Sequence, residues 1–145
     1  MEEPTRSALV AAGWFPGRFV DMSATAQQFE QWGATMHPLA RSILEQLGGL
    51  LVGPFVEEGV NYSVEPFVFD PVKTAEMNIV DELNECFGGP FFPVALMYVN
   101  GIYVSASGLT VCSLQYENWE LGWSFGEALE RLVCAEGEIR RFDRP

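Results

Sequence analysis

The sequence has few of the side chains on which catalysis usually depends. It contains one lysine, Lys73, and one histidine, His37. A serine or cysteine nucleophile needs a base beside it, and a histidine directly before a proline is better suited to cap a helix or to lie at the surface. No glycine-rich phosphate-binding motif is present. These absences argue against nucleophilic catalysis and against phosphate binding.

Cysteines are also few and widely separated. Cys86, Cys112 and Cys134 form no CxxC pair, and their odd number argues against a disulfide scaffold. Each lies in an apolar stretch of sequence, so we expect three reduced core thiols. There is no HExxH motif, EF-hand loop or histidine-cysteine cluster, so we expect neither a metal site nor a cofactor.

Long apolar runs are absent as well. The best candidate, PVALMYV at 93–99, is far shorter than the roughly 18–20 residues of a membrane span. The N-terminus MEEPTRSAL begins with acidic residues and lacks the basic start and long apolar run of a secretion signal. We therefore expect no membrane contact and a cytoplasmic location.

Negative charge is abundant. Twenty acidic and eight basic residues give a net charge of −12. The excess lies between residues 42 and 130, which hold thirteen acidic residues and one basic residue, while the flanks nearly cancel. Such a field repels nucleic acid and anionic lipid and speeds encounter with a basic partner. An acidic surface can also serve solubility alone.

Helix signals are clear at several places in a chain whose 145 residues suit a single domain. Capping residues, helix-starting prolines and helix-ending glycines mark most of the boundaries. The predicted helices are 5–12, 23–32, one beginning at His37-Pro38, one beginning at Asp70-Pro71 and ending before Gly88, and 125–134 with the capping box Ser124 to Glu127. The stripe Val72, Ala75, Ile79, Leu83 and Cys86 predicts the buried side of the fourth helix.

Strand signals fill most of the remainder. Segments 50–56 and 61–69 look extended, and three β-prone runs between 91 and 114 are separated by Asn100-Gly101 and Ser107-Gly108. Asn-Gly favours a two-residue hairpin turn, which predicts an antiparallel meander. We expect the end carrying Arg140, Arg141 and Arg144 to fray. The fold class is therefore α+β, a mainly antiparallel sheet with helices packed around it.

The stretch AAGWFPGRFVD at 11–21 is too short for a helix and rich in turn formers. Gly13 ends a helix, Pro16-Gly17 supplies a turn, Trp14 can bury a large area, and Arg18 can pin the loop to an acid or a carbonyl. None of these is a good nucleophile or base. The residues favour a structural corner.

This stretch, together with LEQLGGLLV at 44–52, FVFDP at 67–71, FFPVALMYVNGIYVS at 91–105 and LGWSFGEALERLV at 121–133, resembles the SUKH-3 branch of the SUKH superfamily. The resemblance covers nearly the whole chain. Its signature positions are Gly13, Trp14, Pro16, Gly17, Arg18, Gly48, Gly49, Asp70 and Pro71.

The resemblance implies a non-enzymatic immunity protein with an α+β fold. Such a protein binds and neutralises a bacterial toxin, often a nuclease or a nucleic-acid deaminase. The acidic charge is consistent with this, because a toxin that acts on nucleic acid tends to have a basic groove. The predicted contact residues are seven acids and one tryptophan: Glu57, Glu58, Asp81, Glu82, Glu85, Glu117, Trp119 and Glu120.

Two alternatives remain open from the sequence. A regulatory or scaffold module would share the acidic surface and bind a partner that is not a toxin. A carboxylate-based hydrolase would need two acids that converge in a pocket, and Asp81 and Glu85 share one helical face. An acidic pair at this spacing is also typical of a solvated helix surface.

Overall fold

Seven strands in sequential order form one antiparallel sheet. The computed structural model describes residues 3–53, 66–114, 117–134 and 140–143. The strands are β1 Leu51–Val52, β2 Phe67–Val68, β3 Phe91–Met97, β4 Asn100–Ser105, β5 Thr110–Ser113, β6 Glu117–Gly122 and β7 Arg140–Asp143. The helices are α1 Glu3–Ala11, α2 Ser23–Gln31, α3 Pro38–Leu47, α4 Pro71–Thr74, α5 Met77–Phe87 and α6 Phe125–Cys134. The α+β class and the meander of β3, β4 and β5 are confirmed.

Helices cover the sheet on both sides. The larger core joins α1, α2, α3 and α6 to one face through residues such as Phe29, Leu44, Phe92 and Ile102. The smaller core joins α5 to the other face of the sheet, where Leu83 belongs to one cluster with Tyr103 and Val111. In strand β4, alternate residues therefore face different cores, as expected for a sheet buried on both sides. Helix α5 stands apart from the other long helices.

Three predicted helix starts are confirmed by their hydrogen bonds. The His37 side chain accepts from the Ala40 N–H at 3.1 Å, and Asp70 accepts from the Lys73 N–H at 3.1 Å. Ser124 accepts from the Glu127 N–H at 3.1 Å. His37 is buried rather than at the surface, and its second ring nitrogen contacts the Val104 carbonyl at 2.9 Å. This histidine therefore joins α3 to the sheet.

The corner at 13–18 is held by the end of α3. The Arg18 guanidinium donates to the Gln46 carbonyl at 2.7 Å and to the Gly48 carbonyl at 2.8 Å. The next residue continues the connection, because the Gly49 N–H donates to the carbonyl of Phe69 at 2.8 Å. Asp70 then caps α4. Hydrogen bonds thus connect the three signature segments around Arg18, Gly48-Gly49 and Asp70. The partners of Arg18 are backbone carbonyls and not an acid.

The predicted turn at Asn100-Gly101 is wrong by two residues. Met97 pairs with Asn100, so Tyr98 and Val99 form the two-residue loop, with φ of 59° at Tyr98. Gly101 lies in β4, where an added Cβ would be 2.7 Å from Cε2 of Tyr103. Close packing on the tyrosine ring is what requires this glycine.

The predicted helix from Asp70 is interrupted. Helix α4 ends at Thr74 and α5 begins at Met77, with Ala75 in an extended conformation at ψ of 112°. In a continuous helix the Thr74 carbonyl would accept from the N–H four residues later. Here it accepts from the Tyr103 hydroxyl at 3.2 Å. A tyrosine of the sheet therefore supplies a partner for the Thr74 carbonyl at the break between the two helices.

Several expectations near the ends of elements are also corrected. Val72 is 41% exposed, and Cys86 is an exposed free cysteine rather than a core thiol. Cys112 is buried as expected, and burial raises the pKa of its thiol to about 12. The backbone of 140–143 pairs with β6 instead of fraying. The side chain of Cys134 and all of Arg144 lie outside the described residues.

Candidate protein-binding face

Helix α5 presents its carboxylates to solvent. Ile79, Val80 and Leu83 are buried against the sheet, and the 3.6-residue period places the acids on the outer side. Asp81 and Glu85 are exposed, and Glu82 is half-buried on the flank. We call Asp81, Glu82 and Glu85 the acidic face. The structure brings together three of the residues predicted to contact a partner.

Acids on the opposite side of the molecule have nearby partners. Arg41 lies 3.5 Å from Glu45, and Arg131 lies 3.2 Å from Glu127. In the part of the chain that the structure describes, Asp81 and Glu85 form no salt bridge. No lysine or arginine occurs in the sequence between Lys73 and Arg131. The negative field of Asp81 and Glu85 is therefore directed outward, toward a binding partner or solvent.

Three of the other predicted contact residues lie on a strand and not on α5. Glu117 and Trp119 belong to strand β6, which lies beyond the three β-prone runs predicted between 91 and 114. Trp119 packs on the larger core, on the side of the sheet away from α5. Glu120 is only 5% exposed, so its carboxylate is not available at the surface. Glu57 and Glu58 lie outside the described residues.

Sequence reasoning missed the tip of the β3–β4 hairpin. Tyr98 and Val99 are 74% and 73% exposed, in contrast to the buried residues earlier in β3. Val99 borders a cleft of about 330 Å³ that also involves Glu76 and Ile79, at the start of α5. The sequence prediction placed the turn at Asn100-Gly101, so Tyr98 and Val99 were assigned to a strand and not to an exposed tip. An apolar tip and an acidic helix thus flank one cleft.

Two kinds of feature are absent from the described residues. In ranges 3–53, 66–114, 117–134 and 140–143, no group of three or more histidine, cysteine or acidic side chains is arranged to hold a metal ion. Within the same ranges, no helix is both long enough and apolar enough to span a bilayer. Asp81 and Glu85 share a helix surface and line no pocket described for these residues. The arrangement is suited to contact with another molecule's charged surface.

Comparison with known proteins identifies one relationship. The family model described as SUKH-3 immunity protein matches residues 1–135. The match includes α5, the hairpin tip and all six helices, and it ends before β7. No curated protein and no solved structure gives a significant match.

Proposed function

The chain belongs to the SUKH-3 immunity protein family, and on that premise we propose that it neutralises a toxin through the acidic face of α5. The proposed toxin acts on nucleic acid, as a nuclease or a deaminase, and has a basic active-site groove. The immunity protein performs no catalysis; it occupies the groove and excludes the substrate. We place this encounter in the cytoplasm, where an exposed free thiol such as Cys86 remains reduced.

The outward projection of Asp81 and Glu85 from one helix carries the proposal. A groove that binds nucleic acid is lined with cations that contact phosphates. Carboxylates one helical turn apart present fixed negative charges to those cations. Because these carboxylates have no basic neighbour in the described part of the chain, binding does not first require an internal ion pair to break. The acidic face can therefore imitate a short run of phosphates.

The same charges account for fast and selective association. Complementary potentials raise the association rate and disfavour partners of the same sign. Since exposed charges are screened over about 10 Å at 0.1 M salt, the association rate should fall as ionic strength rises. A partner with an acidic or neutral contact surface would show no such dependence.

The test is charge reversal on α5. The variant Asp81→Lys/Glu85→Lys changes the net charge by four units on exposed positions, so the fold should be retained. The control Glu3→Lys/Glu30→Lys makes the same change at exposed positions of α1 and α2, in the helical layer on the other side of the sheet. Both are co-expressed with the protein encoded by the neighbouring gene, and growth, complex formation and association rate are measured.

We expect the α5 variant to lose protection and to weaken the complex at least 100-fold, and the control to bind within about threefold of wild type. Equal binding by all three proteins would refute the acidic face as the contact. A stable complex with a neighbouring protein that does not inhibit growth would instead indicate a regulatory module.

A further inference from the structure

The cleft at the start of α5 differs in chemistry from the acidic face on the same helix. It lies between the start of α5, the β3–β4 hairpin and the end of β5, with a volume of about 330 Å³. That volume is at the lower end of the roughly 300–1,000 Å³ typical of ligand pockets. It suits one long side chain better than a cofactor.

Gly101 and Tyr103 of strand β4 lie at the floor of the cleft. Tyr103 is 1% exposed, and its hydroxyl donates to the Thr74 carbonyl, so the ring is held in place. Gly101 has no side chain to cover that ring. Helix α5 begins only at Met77, so its first turn forms one wall, and the hairpin forms the other. The cleft is therefore part of the fold.

The lining mixes apolar and polar side chains, with an acid at one wall. Ile79, Val99 and the Tyr103 ring supply apolar surface, and the exposed Glu76 supplies a carboxylate. No basic residue is among the lining residues described. An arginine combines an apolar stem with a cationic, weakly hydrated head that pairs with a carboxylate in a planar fork. Asn100, also on the lining, offers an amide oxygen to further guanidinium N–H groups.

We propose that this cleft receives an arginine side chain of the partner protein, with its guanidinium on Glu76 and its stem on Ile79 and Val99. The proposal rests on the proposed function, because the acidic face of α5 would orient a basic partner over the cleft. The arginine would be a specific contact in addition to the long-range attraction between the acidic face and a basic partner. Arginine is among the residues that most often dominate interface energy.

The cleft can be tested without the partner. N-acetyl-arginine amide is titrated into ¹⁵N-labelled protein, and the amide shifts of Val99 and Gly101 are followed; N-acetyl-citrulline amide is the neutral probe of similar shape. We expect saturable shifts with the arginine probe and at least fivefold weaker binding of the citrulline probe. Glu76→Gln should weaken arginine binding about fivefold while leaving citrulline binding unchanged.

A variant that fills the cleft provides a second test of the same inference. Val99→Arg places a tethered guanidinium at the cleft and should reduce probe affinity about tenfold. Val10→Arg makes the same substitution at a 51% exposed site on α1 and should have no effect. Equal binding of both probes, or insensitivity to Glu76→Gln and Val99→Arg, would overturn the inference. That result would leave toxin binding by the acidic face intact, because the α5 reversal tests that function separately.

Discussion

Replacement of Arg18 by alanine tests whether the corner at 13–18 is structural. The guanidinium makes two hydrogen bonds to the carbonyls of Gln46 and Gly48, where α3 ends. Hydrogen bonds to a charged group contribute about 1.5–3 kcal/mol each when shielded. Because one of these bonds is exposed and the other only partly buried, we take about 1 kcal/mol for each. The expected loss is about 2 kcal/mol, with a fall in Tm of roughly 4–8 °C.

The assay is urea unfolding monitored by circular dichroism, and Arg6→Ala is the matched control. Arg6 also carries one positive charge and lies 5.5 Å from the centre of the Trp14 ring, an exposed contact that contributes about 0.5–1 kcal/mol. Arg18→Lys should retain about half of the stabilisation, since an ammonium cannot reproduce the fork. If Arg18→Ala and Arg6→Ala lose the same stability, the carbonyl contacts do not hold the corner, and a binding role for Arg18 becomes the better explanation.

Two further predictions concern buried groups. His37→Ala should lower the free energy of unfolding by about 2–4 kcal/mol, because it leaves the Ala40 N–H and the Val104 carbonyl without their partner. His37→Asn should keep the cap and lose about half as much. Equal losses for the two variants in urea unfolding would contradict this prediction. Since the pKa of the Cys112 thiol is raised from 9.0 to about 12, the unfolded chain loses this proton first as pH rises. Stability should therefore fall between pH 9 and 12, by up to about 1.4 kcal/mol per pH unit. A Cys112→Ala protein with the same alkaline slope would refute this cause.

Local signals predicted the boundaries that local chemistry controls. Asp70-Pro71 and His37-Pro38 start helices because a capping side chain and a fixed proline φ act within one turn. The break after Thr74 could not be read in this way. At the break, the Thr74 carbonyl accepts from the hydroxyl of Tyr103, which is 29 residues away in the sequence. A local pattern contains no signal for a hydrogen-bond partner so distant in the sequence.

Strand β6 was missed for a related reason. Its sequence ENWELG alternates polar and apolar residues, which suggests that the polar side faces solvent. In the structure Asn118 and Glu120 are 1% and 5% exposed, opposite Ser113 and Val111 of β5. The identity of a polar residue does not reveal that it will be buried once its strand has paired in the sheet. The contact role predicted for Glu120 stays a prediction, and it applies to a side chain that is buried in this structure.

The acidic face was more accessible to sequence reasoning because α5 has a simple amphipathic pattern. Three of the eight predicted contact residues lie together on it, and the buried side is centred on Ile79, Val80 and Leu83. The cleft depends instead on Gly101, Tyr103 and Glu76, which converge only after the hairpin and the helix pack on the same face. Periodicity identifies a surface along one element, while a concavity between elements requires the fold.

The charged residues and the core residues of α5 lie on opposite sides of the helix, so the two sets can change independently. Asp81 and Glu85 are exposed, so their substitution should change stability by no more than about 0.5 kcal/mol. Leu83 on the opposite side of the same helix is fully buried, and its truncation to alanine should cost about 2–5 kcal/mol. The surface that we propose for toxin recognition can therefore vary in charge and spacing while the sheet and its two cores stay the same. A change of partner then needs substitutions on one helix surface and in the neighbouring cleft, without redesign of the fold.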